Sequence, residues 1–251
     1  MCKVDRMTTE SSKPRGTSRF NETHWTMVLA AGQKDSRAKA ALQELCQIYW
    51  YPLYAFVRRQ GHSKCDAEDL TQEFFVRLLA RDDLAMVDRE KGKFRSFLLA
   101  SMKHFLANEW DRAQAQKRGG GKRILSINLE DSELKYAMEP THVITPDKLY
   151  DRRWAMTVLE QVMAKLRNEM RAEGKTDQFE QLKTFLAGSK EDVRYSEVAE
   201  NLGLSEAAVK TAVHRLRKRY RRLLIAEIAD TVEAQHDVEQ ELRHLLAALA
   251  D

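Results

Sequence analysis

Residues 195–217 read YSEVAENLGLSEAAVKTAVHRLR, and this stretch decides the fold class. It contains two helical patterns separated by a tight turn at Gly203, because glycine tolerates the left-handed backbone conformation. Ser205 follows the turn as a candidate N-cap of the second helix. Ala199 is small enough for the two helices to cross closely, as in a helix-turn-helix motif. The stretch therefore predicts a pair of crossed helices.

The second helix of this motif has its valines and leucines at steps of three and four, which leaves the polar residues on the outer face. In a helix-turn-helix, the start of the second helix enters the major groove, where side chains meet base edges and neighbouring cations meet phosphates. A basic helical hairpin without a ligand is the alternative, but the turn, the cap and the charge together favour DNA binding. The candidate base-edge residues are Ser205, Glu206, Ala207, Lys210, Thr211 and His214, and the candidate phosphate residues are Arg215, Arg217 and Lys218.

Charge is strongly separated along the chain, although the net charge is only +4. Residues 205–224 carry seven Lys or Arg against one acid, and residues 112–123 carry five against none. Residues 226–251 carry seven acids against Arg243. Solvated helix faces have similar compositions, but two distant basic segments are typical of a protein that contacts a polyanion at two places. The pattern favours a nucleic acid as the partner.

Composition limits the fold and the compartment. With 10 Gly and 4 Pro in 251 residues, the chain favours long helices over a turn-dense β-sandwich or barrel. Three cysteines without a CxxC pair predict neither a disulfide framework nor a thiolate zinc site, and they are typical of a reducing cytosol. No segment approaches the apolar length that crosses a bilayer, so we expect no membrane contact and a cytoplasmic location.

Helical periodicity predicts an all-α fold of two helical bundles joined by a linker, with a C-terminal helical tail. The linker is the part with three consecutive glycines, two prolines and no sustained periodicity. The first bundle has helices over about 67–81 and 94–117, after a longer helix that begins near residue 38. The predicted parts are a disordered leader over 1–19, a first helical domain over 20–118, a linker over 119–150, a helix-turn-helix domain over 151–225 and an acidic amphipathic tail over 226–251.

The tail carries one apolar stripe, formed by Val238, Leu242, Leu245, Leu246 and Leu249. Two roles follow from this stripe. The tail either completes the core of the helix-turn-helix domain, or it holds its carboxylates over the DNA-binding cations and competes with phosphate.

A second stretch, DAEDLTQEFFVRL at 66–78, combines an apolar helical stripe with an acidic outer face. Together with YPLYAFVRR at 51–59, FRSFL at 94–98 and the helix-turn-helix, it resembles the extracytoplasmic-function (ECF) group of the sigma-70 RNA polymerase sigma factors. The first domain is similar to the σ2 domain of that family and the helix-turn-helix domain to its σ4 domain. The likeness covers about residues 38–118 and 190–225. His104 departs from the family pattern, since many relatives carry Asn there, so a promoter sequence does not transfer.

The resemblance implies a protein that binds core RNA polymerase and directs promoter-specific initiation, without enzymatic activity and without a cofactor or metal. It implies that the helix from 94 and its preceding loop read the −10 promoter element, and that the helix-turn-helix reads the −35 element. An anti-sigma protein is a further partner that the resemblance allows. The implied polymerase-binding residues are Asp66, Asp69, Gln72, Glu73 and Arg77.

The implied −10 residues lie at the end of the third helix and just beyond it. Cations interleaved with an aromatic side chain suit a melted DNA strand, because rings stack on bases and cations follow the phosphates. A core position for Trp110 is the alternative. These residues are Lys103, His104, Asn108, Trp110, Asp111, Arg112, Gln114, Lys117 and Arg118.

Two other classes of protein compete with this interpretation. A stand-alone helix-turn-helix regulator would carry a dimerisation or ligand module at its N-terminus, but such a module does not require the 66–78 stretch. An enzyme would need a catalytic constellation, and neither the His62–Cys65 pair nor the carboxylates of 68–73 have the partners that one requires.

Overall fold

The computed structural model describes residues 36–80, 93–115, 130–139, 144–186, 194–232 and 237–250. In these ranges every regular element is a helix, which confirms the all-α prediction. Among the described helices, none combines the length and apolar character needed to cross a bilayer. The helices are α1 (Ser36–Arg59), α2 (Lys64–Ala80), α3 (Phe94–Ala115), α4 (Glu130–Ala137), α5 (Pro146–Ala172), α6 (Thr176–Leu182) with a 3₁₀ turn at Lys183–Leu186, α7 (Tyr195–Leu202), α8 (Glu206–Ala229) and α9 (Asp237–Ala250).

Local capping chemistry sets several helix ends. Ser63 caps α2: its Oγ accepts a hydrogen bond from the Asp66 backbone at 3.2 Å and donates one to the Asp66 carboxylate at 2.6 Å. Thr145 caps α5 by accepting from the Lys148 backbone, with a proline in the first turn, where its missing N–H costs nothing.

The first hydrophobic core lies among α1, α2 and α3, but these helices do not close it alone. The first half of α5 contributes Trp154 and Val158, and the end of α8 contributes Ile228. The tail helix α9 adds Val238 and Leu245. The apolar stripe of the tail is therefore buried in the first core, whereas Leu246, which was expected in the same stripe, is exposed.

The second core lies beneath the helix-turn-helix. The second half of α5 meets α6, α7 and the first half of α8, and the apolar side chains at this junction are buried. Because α5 has 27 residues, it is about 40 Å long and belongs to both cores. The buried members of the second core are Leu166, Met170, Phe179, Leu182, Phe185, Val198, Ala199, Val209, Val213 and Leu216.

The interval predicted as a linker, 119–150, contains α4 and the first turns of α5. Glu133 in α4 accepts a 2.8 Å hydrogen bond from Arg58 of α1, and Glu139 accepts one of 2.9 Å from Tyr51. The described part of this interval is therefore attached to α1. The predicted leader, residues 1–19, lies outside the described residues.

Candidate nucleic-acid and polymerase interface

The turn between α7 and α8 has the predicted geometry. Gly203 is left-handed, with φ 62° and ψ 34°. Ser205 caps α8, because its Oγ accepts a hydrogen bond from the Ala208 backbone at 3.2 Å. The Leu204 backbone N–H also donates to the Ala199 carbonyl at 2.8 Å. These contacts fix the angle at which the second helix leaves the first.

The outer face of α8 presents the predicted base-edge residues to solvent, while Val209 and Val213 face the second core. Lys210 lies over the Tyr195 ring at 5.5 Å from its centroid, which holds its stem along the helix pair. Thr211 donates to the Ala207 carbonyl at 3.0 Å. The exposed members of the predicted set are Ser205, Glu206, Ala207, Lys210, Thr211, His214, Arg215, Arg217 and Lys218.

Arg217 differs from the other cations of α8. Its Nη2 and Nε donate to the Phe185 carbonyl at 2.9 Å and 3.3 Å. That carbonyl lies in the 3₁₀ turn after α6, so the guanidinium connects α8 to the preceding helices. The sequence predicted Arg217 as a phosphate contact, and in the structure its Nε and Nη2 donate to the protein backbone.

Cations farther along α8 form ion pairs with the end of α5. Arg219 binds both Glu169 and Glu173, and Arg222 lies 3.4 Å from Glu169. Hydrogen bonds from Lys175 and Arg219 lower the pKa of Glu173. The cations of α8 therefore divide into an outward group near the turn and a second group that is bound to α5.

The face of α2 that the sequence assigned to polymerase is only partly available. Asp66 and Asp69 are exposed, although the Asp66 carboxylate also accepts a hydrogen bond from Ser63, the N-cap of α2. Gln72 is only 8% exposed, because the helix turns it inward. Glu73 accepts a 2.7 Å hydrogen bond from Arg77, so neither is an isolated surface charge.

Arg77 joins α2 to α3. Its Nη1 donates to Glu109 at 2.6 Å, and its guanidinium lies 5.1 Å from the centroid of the Phe105 ring. This side chain therefore holds the predicted polymerase-binding helix against the predicted −10 helix.

The outer face of α3 carries the predicted −10 residues. Trp110 is 65% exposed, which excludes the alternative in which it is a core residue. His104, Asn108 and Asp111 are exposed nearby. Lys103 is also exposed, but it binds Asp147 at the start of α5. Of the remaining candidates, Arg112 and Gln114 lie in α3, but their side chains are not described. Lys117 and Arg118 lie entirely outside the described residues.

Sequence reasoning missed a buried ion cluster at the start of α3. Arg95 binds Glu241 of α9 at 2.5 Å and Asp151 of α5 at 2.6 Å. Lys93 reaches the same Glu241 at 2.9 Å. The signal in the sequence was a charged residue inside the apolar pattern FRSFL, since an arginine in a core stripe requires a buried partner.

The described part of the chain contains no group of three His, Cys, Asp or Glu residues arranged to hold a metal ion. Of the possible metal pair, His62 lies in the turn between α1 and α2, and Cys65 lies in the first turn of α2.

Residues 45–116, which contain most of α1 and all of α2 and α3, match the protein family described as Sigma-70 region 2. The chain is similar to the ECF RNA polymerase sigma factor SigE of Mycolicibacterium smegmatis (strain ATCC 700084 / mc(2)155), with 23% identity over 224 residues. This similarity covers 89% of the chain and 73% of the relative. The region 2 match and this similarity support a relationship to the ECF group of the sigma-70 family. No solved structure matches the chain. The helix-turn-helix lies beyond the region 2 match.

Proposed function

We propose that this protein is an ECF sigma factor that binds core RNA polymerase through α2, reads the −10 element with α3 and reads the −35 element with α8. The observation that carries the proposal is the outer face of α3, where Trp110 is a large aromatic residue that the fold leaves exposed. The cytoplasm, where bacterial polymerase works, would then be its place of action.

The −10 role rests on the surroundings of Trp110. An exposed indole offers a face on which an unpaired base can stack, and one such contact contributes about 1–3 kcal/mol. Asn108 and Asp111 supply hydrogen-bonding groups beside it, and Lys103 lies farther back on the same helix. In the sequence, Arg112, Lys117 and Arg118 follow Trp110 and add positive charge to this segment.

The −35 role rests on the start of α8. The capped N-terminus leaves Glu206, Lys210 and His214 exposed, which suits contact with base edges in a major groove. Arg215 and Lys218 are exposed on the flanks, where phosphates would lie.

The polymerase role rests on α2, where Asp69 is the exposed carboxylate that takes no part in the N-terminal cap. The Arg77–Glu109 pair fixes the orientation of α2 relative to α3. Docking of α2 on polymerase would therefore also orient α3 toward the DNA.

The test is transcription by purified core polymerase with and without this protein, on templates that carry candidate promoters. We expect initiation that depends on the protein, and its loss in Trp110→Ala but not in Trp110→Phe, which keeps an aromatic ring. Binding to duplex DNA with no effect on polymerase would instead identify a stand-alone regulator and contradict the proposal.

A further inference from the structure

The helix α3 extends beyond the core that holds its first half. Its buried side chains follow one stripe, at Phe94, Leu98, Met102 and Phe105. The side chains of 106–111 are exposed or only partly buried. The proposed −10 residue Trp110 therefore lies on the part of α3 that follows this buried stripe.

Glu109 occupies the position at which the apolar stripe would continue. It comes four residues after Phe105, so its side chain leaves α3 on the same face, toward α2. A carboxylate beside apolar side chains requires a polar partner, because removing a charge from water is costly. Arg77 of α2 supplies one, since its Nη1 donates to Glu109 at 2.6 Å. An ion pair thus continues the contact between α2 and α3 where the apolar contact ends.

The guanidinium of Arg77 is held by three neighbours, of which Glu109 is the first. Its Nε donates to Glu73, one turn earlier on α2, at 2.7 Å. Its carbon centre lies 5.1 Å from the centroid of the Phe105 ring, and this ring packs edge-on against Phe74 of α2. Because the donors of a guanidinium form a rigid planar fork, these contacts together favour one orientation. The Glu109 carboxylate therefore has a fixed place relative to α2.

This fixed place also determines where Trp110 lies. Successive helical residues are about 100° apart around the axis, so the direction of Glu109 sets the direction in which the next side chain leaves α3. Trp110 is 65% exposed, and stacking on an unpaired base requires its ring to lie where the strand passes. A rotation of this end of α3 would move the ring away from the strand.

We propose that Arg77 is a positioning residue for −10 reading, which acts through Glu109 on Trp110 and makes no contact with polymerase. The proposal rests on the proposed function, because it needs Trp110 as a base-stacking residue. It gives Arg77 a different role from the one that the family resemblance implies. Asp69, on the same helix, keeps its proposed role in polymerase binding.

Three variants separate position from chemistry: Arg77→Met, Glu109→Leu and the two substitutions together. Methionine keeps an unbranched stem that packs well on an aromatic ring such as Phe105, but it cannot donate to Glu109. Each single variant leaves one charge without this partner. The double variant replaces the ion pair by an apolar contact, which is often equally stable. A residue that acts only by position is replaced by such a contact, whereas a residue that touches polymerase or DNA is not.

The first readout is the indole N–H signal of Trp110 in the NMR spectrum of the full chain, without polymerase or DNA. The chain has four tryptophans, and the signal that is absent from Trp110→Phe identifies this one. We expect the signal to shift in both single variants and to return toward the parent position in the double variant. Arg77→Lys, a milder change that keeps the charge, should shift it less. An unchanged signal in the single variants overturns the positioning role, whatever the protein binds.

The second readout is the affinity of the protein, in complex with core polymerase, for a single-stranded −10 oligonucleotide. Each single variant should bind it about fivefold more weakly, which corresponds to about 1 kcal/mol, the lower end for one stacked base. The double variant should recover the parent affinity. In a Trp110→Ala background, Arg77→Met should have no further effect. Binding of core polymerase itself should stay at the parent level in every variant.

The matched control is Arg243→Met on α9. Arg243 is exposed and donates to Glu239, one turn earlier on its own helix, at 2.6 Å, which is the same kind of pair that Arg77 makes with Glu73. This variant should change neither readout.

The remaining outcomes distinguish the two proposals. Weaker polymerase binding by Arg77→Met, with the parent affinity for the oligonucleotide, identifies a polymerase contact and overturns the positioning role. A loss of oligonucleotide binding that the double variant does not recover shows that the guanidinium itself is needed, and it overturns the positioning role as well. A parent protein that binds neither polymerase nor the oligonucleotide overturns the proposed function, and the indole signal alone then decides whether Arg77 positions Trp110.

Discussion

Replacing Arg217 by alanine separates a structural role from a DNA-binding role on the same helix. The structure assigns its guanidinium to the Phe185 carbonyl, whereas Lys218, the next residue, is exposed to solvent. We therefore expect Arg217→Ala to lower stability with little effect on DNA binding. Lys218→Ala should weaken DNA binding with little effect on stability.

The size of the stability loss follows from the two donated hydrogen bonds. A hydrogen bond from a charged donor contributes about 1.5–3 kcal/mol, and the solvent exposure of Arg217 favours the lower end of this range. We expect a loss of about 1.5 kcal/mol. In a chain of 251 residues this lowers the Tm by about 3–6 °C. Lys218→Ala should stay within about 0.5 kcal/mol of the parent protein, as surface substitutions usually do.

The assay combines urea unfolding with DNA affinity measured across a range of salt concentrations. Each lost phosphate contact reduces the slope of log affinity against log salt by about 0.9. We expect this reduction for Lys218→Ala and an unchanged slope for Arg217→Ala. A reduced slope with unchanged stability in Arg217→Ala would refute the structural assignment and restore the phosphate contact that the sequence predicted.

Three further predictions concern the other surfaces. Trp110→Ala should weaken binding of a single-stranded −10 oligonucleotide by about 1–3 kcal/mol in fluorescence anisotropy, with Trp110→Phe much closer to the parent, and equal losses in the two variants would argue against stacking. Asp69→Lys should reduce co-purification with core polymerase while Asp177→Lys, an exposed acid on α6, should not, and equal retention would remove α2 as the docking surface. Hydrogen bonding from Arg58 holds the pKa of Glu133 below its ordinary value of 4.5. The ion pair of Arg58 with ionised Glu133 therefore stabilises the fold above pH 4.5, and this contribution is lost as the pH falls through the lowered pKa. The stability difference between the parent and Glu133→Gln, measured by urea unfolding, should therefore be largest near neutral pH and shrink below about pH 4.5, and a difference independent of pH would contradict the ion pair.

Features that depend on a few neighbouring residues were predictable from the sequence. The Gly203 turn and the Ser205 cap are set by backbone conformation and by a side chain three residues before its partner. The all-α fold follows from periodicity that each helix carries by itself. Predictions of this kind need no knowledge of which helices pack together.

Features that depend on distant partners were not predictable in the same way. Arg217 looks like any outward cation until the Phe185 carbonyl, 32 positions earlier, is known. Gln72 was expected on an open face, but tertiary packing buries it. Glu241 and Arg95 are 146 positions apart, and the acidic pattern of the tail did not indicate which of its carboxylates would be buried.

The first hydrophobic core takes side chains from distant parts of the sequence, and this has a consequence for synthesis of the chain. Aromatic side chains of α1, α2 and α3 are covered partly by Trp154 and partly by Leu245. Ribosomes add about 5–20 residues per second, so the roughly 140 residues between Phe105 and Leu245 take about 7–28 seconds to emerge. During that interval the nascent chain exposes an incomplete apolar surface. Chaperones that bind such surfaces during translation therefore have several seconds in which to act on this protein.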